Sequence, residues 1–433
     1  MRIAVVVTSF PSISQTFVLG QITGLIDRGH EVDIYAAASE PEVGGAEHAV
    51  VKEYGLMKRA RYQPARAVGA SWVRRFAASV YVLARYWWRD PRNAWRVVKG
   101  PQRQFGYSSR LSLLSAGAPF AGRGRYDAVL CHFGPNGRRI ARLRRAGLVH
   151  GKIATVFHGY DMSRYLITRG TNAYQQLFDD GDLFLPVSEF WRSRLIDLGC
   201  PPGKIAVHHM GIDLSKFPVR ERRATRDDDE PVRLLSVARL VEKKGIEYAI
   251  RAVASSRDVT GRRIEYSILG DGPLRGRLEK LVRELDTGDS VKLVGESNQD
   301  GVRAAMRGAD IFVAPSVVAE DGDMEGVPVS IMEAMACGLP VVSTLHSGIP
   351  ELVRDKVSGF LVPERDSYAL SHAFTRLVDD PRLRRRMGNA GRTAVERGYD
   401  LDDLNDRLVD LLATMNRPHG HPRLARHPAG AGA

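Results

Sequence analysis

Cysteines and long apolar runs are both scarce in this sequence of 433 residues. The three cysteines lie far apart, form no CxxC pair and are odd in number, which argues against a disulfide framework and against a zinc site. The apolar run at residues 3–7 is too short for a signal peptide, and no other run approaches the ~20 apolar residues that a membrane span needs. We therefore expect a cytoplasmic protein that does not cross a membrane.

Acidic residues are almost missing from one region. Between Lys58 and Arg125 a single acid, Asp90, stands against fifteen lysines and arginines, and four of the five tryptophans lie there too: Trp72, Trp87, Trp88 and Trp95. Cationic residues mixed with tryptophans at helical spacing, as in residues 68–98, are typical of a helix in the headgroup region of a membrane. We predict that this insertion, about residues 57–125, contacts an anionic membrane surface. Buried tryptophans with a solvated basic face are the alternative, and no module indicates nucleic-acid binding.

Short apolar runs alternate with helical sequence along the rest of the chain, and this rhythm predicts βαβ units with parallel sheets. Strands are expected in a first series, 3–7, 31–35, 128–131, 152–157 and 183–187, and in a second, 232–237, 265–269, 291–294, 310–314 and 340–343. The charged residues 220–230 separate the two series and read as a linker.

The predicted fold class is α/β, with two doubly wound, Rossmann-like domains that face each other across a cleft. The first domain is expected to cover residues 1–219 and the second residues 231–395. Residues 396–415 should form a helix that packs back on the first domain. Residues 416–433, rich in Pro, Gly, His and Arg, are expected to be a disordered tail.

The segment from Glu325 to Ser343, EGVPVSIMEAMACGLPVVS, carries the strongest functional signal. Pro328 suits the first position of a short apolar helix, and Gly338 suits its end. The free amides at a helix start bind phosphate groups. Glu325 and Glu333, on either side, could accept hydrogen bonds from sugar and ribose hydroxyls, so a nucleotide sugar fits. A surface acid and an ordinary helix residue are the alternative.

This segment resembles the signature of the retaining GT-B glycosyltransferases, in which two glutamates are separated by seven residues. That large family includes sucrose synthases and bacterial polysaccharide mannosyl- and galactosyltransferases, and the resemblance covers roughly residues 1–400. It implies a GT-B fold, with Glu325 beside the donor sugar and Glu333 holding the ribose. The family often has Phe-Gly where this chain has Val327 and Pro328. Since proline has no N–H, the phosphates are expected to rely on Val327, Val329 or side chains.

Three cations follow a predicted strand in the segment RLVEKKG, which runs from Arg239 to Gly245. Cations at the carboxyl end of a parallel strand lie where α/β sheets bind ligands, and they could stabilise a leaving diphosphate. A solvated charge run is the alternative. The resemblance implies that Arg239 and Lys244 have this role, and Lys243 is then expected to face solvent. Gly270, in a GDGP turn that lacks GxGxxG spacing, is expected to let the backbone approach the nucleotide.

The first domain offers a histidine at the end of a strand, His158 in TVFHGYD. It could be structural, but the resemblance implies that it faces the donor sugar across the cleft. Asp161 is expected on the acceptor side or as a helix N-cap. The opening SFPSISQTF resembles the acceptor-side loop of the colanic-acid and exopolysaccharide subgroup, so we expect Ser14 and Gln15 there; the subgroup usually has Glu where this chain has Gln15. The stretches 132–137 and 348–351 match the same subgroup, without an assigned role.

These features predict a retaining glycosyltransferase that moves a hexosyl group from GDP-mannose or a UDP-hexose to a saccharide acceptor, lipid-linked through a polyprenyl diphosphate, in exopolysaccharide or cell-surface glycan synthesis. No cofactor and no essential metal are expected, because Arg239 and Lys244 supply the countercharge and the DxD at 321–323 is too short a pattern to indicate one. The alternatives are a sugar-nucleotide epimerase of the same fold, a pyridoxal-dependent phosphorylase, for which no Schiff-base lysine motif is found, and a non-catalytic nucleotide-sugar-binding protein.

Overall fold

The computed structural model describes residues 1–11, 16–38, 49–63, 80, 84, 87–91, 95, 110–219, 230–257, 259–260 and 262–417. The predicted linker and tail therefore fall almost entirely outside the described residues. So does most of the basic insertion, although residues 80, 84, 87–89, 91 and 95 within it are helical.

Six parallel strands form the sheet of the first half, in the order β3-β2-β1-β4-β5-β6. They are β1 (Arg2–Ser9), β2 (Glu31–Ala38), β3 (Ala60–Tyr62), β4 (Ala128–His132), β5 (Lys152–Phe157) and β6 (Leu183–Pro186). The central strands β1 and β4 carry continuous runs of buried residues. Such runs are expected where helices cover both faces of a parallel sheet.

The second half repeats this architecture in the order β12-β11-β10-β7-β8-β9. Its strands are β7 (Val232–Val237), β8 (Ile264–Leu269), β9 (Val291–Gly295), β10 (Ile311–Ala314), β11 (Val341–Thr344) and β12 (Gly359–Val362). When the strands of each half are numbered from one, both sheets have the same order. The predicted α/β fold with two doubly wound sheets is confirmed, and only β3 and β12, both at sheet edges, were not predicted.

Helices connect the strands. In the first half they are α1 (Thr16–Asp27), α2 (Ala49–Glu53), α3 (Leu56–Arg59), α4 (Arg110–Gly117), α5 (Gly134–Arg145), α6 (Arg164–Arg169), α7 (Gln175–Asp180) and α8 (Glu189–Asp197). Those that follow are α9 (Ile246–Arg257), α10 (Arg275–Glu284), α11 (Gln299–Gly308), α12 (Val329–Ala336), α13 (Ile349–Leu352), α14 (Ser367–Asp379), α15 (Pro381–Gly398) and α16 (Leu401–Thr414).

The last helix, α16, returns to the first half and packs against α1. Arg28, just after α1, places its Nε 2.5 Å from Oδ1 of Asp406, and Asn405 donates to the carbonyl of Gly20. Arg392 of α15 joins the two halves further, because its Nη1 donates to the carbonyls of Phe217 (2.8 Å) and Ala336 (2.7 Å). Within the described part of the chain, no helix has the length and apolar character needed to span a bilayer.

The strand order places a crevice at the carboxyl ends of two central strands in each sheet. The order reverses between β1 and β4 in the first half and between β7 and β10 in the second. Loops that leave the carboxyl ends of such strand pairs diverge, and α/β proteins bind ligands in the gap between them. His158 follows the carboxyl end of β5, beside β4, and the segments that carry Arg239 and Glu325 leave β7 and β10; Gly270 follows β8.

Candidate active site

Two lysines and two carboxylates meet beside the switch point of the second sheet. The Nζ of Lys244 lies 3.0 Å from Oε2 of Glu325. The Nζ of Lys243 lies 3.4 Å from Oε1 of Glu325 and 3.1 Å from Oδ2 of Asp323. The lysines come from the short turn after β7, which ends at Gly245 in a left-handed conformation. The carboxylates come from the loop after β10.

Lys243 does not face solvent, so that expectation is wrong. The side chain of Lys243 is partly buried and pairs with two carboxylates, those of Asp323 and Glu325. Asp323 was not predicted as a partner of Lys243. Burial opposes the charged form, but Glu325 and Asp323 outweigh it and raise the pKa of Lys243. The two lysines and the two carboxylates thus balance one another within one cluster.

Glu325 is 8% exposed. Burial alone would raise the pKa of its carboxyl, but the ammonium groups of Lys244 and Lys243 reverse this and lower it to about 2. Glu325 is therefore an ionised carboxylate at neutral pH.

A histidine that the sequence analysis missed holds the backbone of Glu325. The Nε2 of His346 accepts the Glu325 N–H at 3.0 Å, and its Nδ1 lies 2.6 Å from Oε1 of Glu364. The hydroxyl of Ser347 donates to the carbonyl of Gly326 at 2.9 Å. His346 follows β11 and Glu364 follows β12. Polar residues just beyond two neighbouring parallel strands were the signal that could have found this pair.

The loop of Glu325 lies directly against the loop of His158 in the first half. A Cβ atom on Gly159 would come within 2.6 Å of the Met324 carbonyl oxygen and of the Gly326 nitrogen, so only glycine fits there. The Met324 N–H also donates to Oγ of Ser163 at 3.2 Å. The structure therefore brings the backbones around His158 and Glu325 together across the two halves.

The His158 ring is buried among aromatic side chains and is uncharged. Its centroid lies 4.4 Å from the ring of Phe133 and 4.9 Å from that of Phe17, and its Nε2 lies 3.4 Å from Nδ1 of His132. Phe133 adopts φ 69°, an uncommon conformation for a bulky residue. Burial, and then the neighbouring His132, lower the pKa of His158 well below its usual value, and burial lowers that of His132 to about 3.

Asp161, which was predicted on the acceptor side or as a helix N-cap, is completely buried. Its Oδ1 accepts the His158 N–H at 3.0 Å, and its Oδ2 accepts the N–H of Gly134, the first residue of α5, at 2.8 Å. The N-cap of the following helix α6 is Ser163. Burial raises the pKa of Asp161 to about 6 against these two hydrogen bonds. Asp161 thus fixes the backbone of His158.

Glu333 lies in the second turn of α12. Pro328 is the N-cap of α12 and not its first helical residue, so the helix begins one residue later than predicted, and no side chain caps the first amides. Val327 is buried and Val329 is half-buried. Burial raises the pKa of Glu333 to about 7, although Arg303 of α11 acts in the opposite direction. Glu333 therefore changes charge near neutral pH, in contrast to Glu325.

The other predicted residues are less closely tied to this cluster. Arg239 is exposed in the turn after β7. A Cβ atom on Gly270 would collide with the Ala238 carbonyl, so the chain's own backbone already explains this glycine. Ser14 and Gln15 lie outside the described residues. Of the DxD acids, Asp321 pairs with Arg164 of the first half at 3.1 Å, and Asp323 pairs with Lys243.

The protein has two doubly wound sheets with the same strand order. The loop of Glu325 in the second half lies against the loop of His158 in the first. This arrangement defines a GT-B protein. Solved structures agree on this fold. The structure of Anabaena HepE in complex with UDP and glucose superposes with a TM-score of 0.67 at 15% sequence identity, over 95% of this chain and 99% of that one.

Sequence comparisons identify the family. The model of glycosyl transferases group 1 matches residues 219–394, and that of glycosyltransferase family 4 matches residues 14–216. The colanic acid biosynthesis glycosyltransferase WcaL of Escherichia coli K12 is 40% identical, and the amylovoran biosynthesis glycosyltransferase AmsK of Erwinia amylovora is 39% identical. Each match covers 96% of this chain and 100% of the relative. The chain belongs to the group 1 glycosyltransferases, and its relatives in exopolysaccharide biosynthesis match the predicted subgroup.

Proposed function

We propose that the protein transfers a hexosyl group from a nucleoside-diphosphate sugar to a saccharide acceptor, with retention of anomeric configuration and without a cofactor or an essential metal. The observation that carries the proposal is the contact of Lys244 with the ionised Glu325, in a loop that abuts His158 across the two halves. The donor is GDP-mannose or a UDP-hexose. HepE, which shares the fold, binds UDP and glucose.

The proposed donor site extends along the carboxyl edge of the second sheet. Arg239 and Lys244 face the diphosphate, together with the uncapped amides at the start of α12 and the backbone near Val327, Val329 and Gly270. Glu333 accepts hydrogen bonds from the ribose. Lys243 is already paired with Asp323. Arg239 is exposed and forms no ion pair with an acid of the described residues, so it can supply positive charge to the diphosphate.

In the proposed reaction the bond between the anomeric carbon and the diphosphate oxygen breaks, and the nucleoside diphosphate leaves with the electron pair. Fixed cations stabilise that charge, as they do in other sites built for a leaving anion. The acceptor hydroxyl attacks the anomeric carbon from the same face, and its proton passes to a phosphate oxygen of the leaving group. Glu325 stabilises the positive charge that develops on the sugar, and His158 hydrogen-bonds a sugar hydroxyl.

The proposed acceptor is a lipid-linked saccharide, which the enzyme meets as a peripheral protein on the inner face of the plasma membrane. Three tryptophans of the basic insertion support this proposal. Trp87, Trp88 and Trp95 are 53%, 88% and 50% exposed. Exposed tryptophans among arginines suit the headgroup region of an anionic membrane.

A thermal-shift series with GDP, UDP, GDP-mannose, UDP-glucose and UDP-galactose tests the proposal. A ligand that binds only the folded protein raises its melting temperature by mass action. We expect a shift with nucleotides of one base, and release of that nucleoside diphosphate on incubation with its sugar donor. Nucleotide binding without turnover of the sugar donor would indicate a non-catalytic nucleotide-sugar-binding protein. An isomerised donor would indicate an epimerase, and no shift with any nucleotide would refute the proposal.

A further inference from the structure

We propose that His346 and Glu364 form a positioning pair for Glu325, which fixes the amide of that residue so that its carboxylate stays beside Lys244. This inference rests on the proposed function, in which Glu325 acts on the donor sugar. His346 is completely buried, and it is not among the residues proposed to bind the donor or the acceptor. Its two ring nitrogens are both used, one by the Glu325 amide at 3.0 Å and one by the Glu364 carboxylate at 2.6 Å.

The direction of these hydrogen bonds fixes the tautomer of His346. A backbone N–H can only donate, so Nε2 must present its lone pair to Glu325. The ring proton is then on Nδ1, where the carboxylate of Glu364 accepts it. Such a carboxylate holds an imidazole in one tautomer and one orientation. A proton on Nε2 would place two donors against each other and would release the Glu325 amide.

Glu364 also holds the opposite end of the loop that carries Glu325. Its Oε2 accepts the N–H of Val318 at 2.8 Å, whereas its Oε1 faces His346. The pair therefore ties both ends of the segment 318–325 to the carboxyl ends of β11 and β12. Each of the two residues lies two positions beyond the end of its strand, so the segment is held close to the sheet, and such support keeps a site in place.

The expected consequence concerns the rate of the chemical step. A displacement of about 1 Å in a reacting group can cost about 10²-fold in rate. The donor, in contrast, is proposed to bind through Arg239, Lys244 and Glu333, whereas the hydrogen bonds of His346 go to Glu325 and Glu364. Loss of the pair should therefore lower kcat and leave the donor KM nearly unchanged.

Two substitutions of His346 separate positioning from simple packing. In His346→Gln the side-chain amide oxygen reaches the position of Nε2 and can still accept the Glu325 N–H. In His346→Asn the shorter side chain reaches only the position of Nδ1, so it can bond Glu364 but not Glu325. Measured as release of GDP or UDP from GDP-mannose and UDP-glucose, kcat should fall about 10- to 100-fold in His346→Asn, and by much less in His346→Gln.

Ser256→Ala provides the matched control. Ser256 is fully buried, its hydroxyl lies 2.9 Å from that of Ser371, and it sits at the far end of α9 from Lys244. It should lower the melting temperature without lowering kcat. If His346→Asn and His346→Gln lose activity equally, or if the donor KM rises in place of a fall in kcat, the positioning role is refuted.

Glu364→Gln is the second variant, because it keeps the volume of the side chain and leaves His346 in place. An amide cannot accept from both His346 and the Val318 N–H, so kcat should fall several-fold; wild-type kcat in a folded Glu364→Gln protein would overturn the inference. A wild-type protein that releases no nucleoside diphosphate would count against the proposed function. Wild-type turnover with an unaffected His346→Asn variant would count against the positioning pair alone.

Discussion

The two halves share a strand order, yet the loops that meet between them differ in charge. The edge of the second half holds Lys243, Lys244, Asp323 and Glu325 as ion pairs. The edge of the first half presents His158 and His132 as neutral rings, with Phe17 and Phe133 packed around them. Two halves with the same strand order thus differ in the polarity of the loops that meet, because the second half presents paired charges and the first presents uncharged rings.

The largest expected effect separates the two edges directly. Glu325→Gln should lower kcat by about 10²-fold or more, because it removes the charge that acts on the developing cation. His158→Gln should cost about 10-fold or less, as expected for one neutral hydrogen bond. The kcat of both variants, measured by release of the nucleoside diphosphate, checks this difference. Equal losses would break the comparison.

The pH dependence of the unfolding free energy should show the contribution of Glu325 in the second half. The folded pKa of Glu325 is about 2, below its ordinary 4.5. Its ionised form therefore stabilises the fold above pH 4.5, and this contribution is lost as the pH falls from 4.5 towards 2. At about 1.4 kcal/mol per pKa unit, the contribution is on the order of 3 kcal/mol.

Denaturant unfolding of wild type and Glu325→Gln between pH 3 and pH 7 measures that contribution. The difference in unfolding free energy between the two proteins should shrink as the pH falls below 4.5. Ser256→Ala, which removes a buried hydroxyl and no ionisable group, serves as the reference, and its difference from wild type should not change with pH over this range. A difference that stays constant over the whole range would contradict the assignment.

Glu333 should behave in the opposite way. Its folded pKa is raised from 4.5 to about 7, so its contribution to stability is present below pH 4.5 and is lost as the pH rises through 7. Glu333→Gln should therefore melt at a higher temperature than wild type at pH 8 but not at pH 4.5. It should also raise the donor KM several-fold, because the ribose loses a charged acceptor. Melting curves at the two pH values and donor titrations test both parts.

The smallest effect is expected outside both edges. Trp88→Ala should weaken binding to vesicles of anionic lipid only a few-fold, because several basic residues and other tryptophans remain. Tyr368→Ala is the matched control, since Tyr368 is 75% exposed but belongs to the second half. Sedimentation with vesicles that contain or lack anionic lipid measures the effect. Equal binding of the two variants would count against the membrane proposal.

The sequence was informative where the physical signal is local. Continuous apolar runs predicted the central strands, because strands covered by helices on both faces need such runs. The outer strands β3 and β12 were not predicted. β3 has only three residues and lies in the basic sequence KRARY, and β12, GFLV, is apolar but only four residues long. The resemblance pointed to Glu325 and Lys244, and the structure places these two side chains in contact.

Residues whose roles depend on distant partners were not predictable in the same way. Lys243 was expected to face solvent because the resemblance assigned the role to Arg239 and Lys244. Its neighbours in sequence do not reveal Asp323, which is eighty residues away. Asp161 suggested a local cap, whereas it accepts hydrogen bonds from His158 and from the start of α5. The contact of His346 with Glu364 depends on the pairing of β11 with β12, which the sequence alone did not predict. Such contacts arise from tertiary packing, to which local patterns are blind.

The return of α16 to the first half also sets an order of assembly. Leu408 and Leu412 of this helix are completely buried, and they are synthesised after all the described strands of both sheets. The amino-terminal half therefore cannot cover its α1 surface until the whole carboxyl-terminal half has been synthesised. Domains generally fold as units from the amino terminus during synthesis. In this protein the amino-terminal half is synthesised first, but its packing is complete only after α16 has been added.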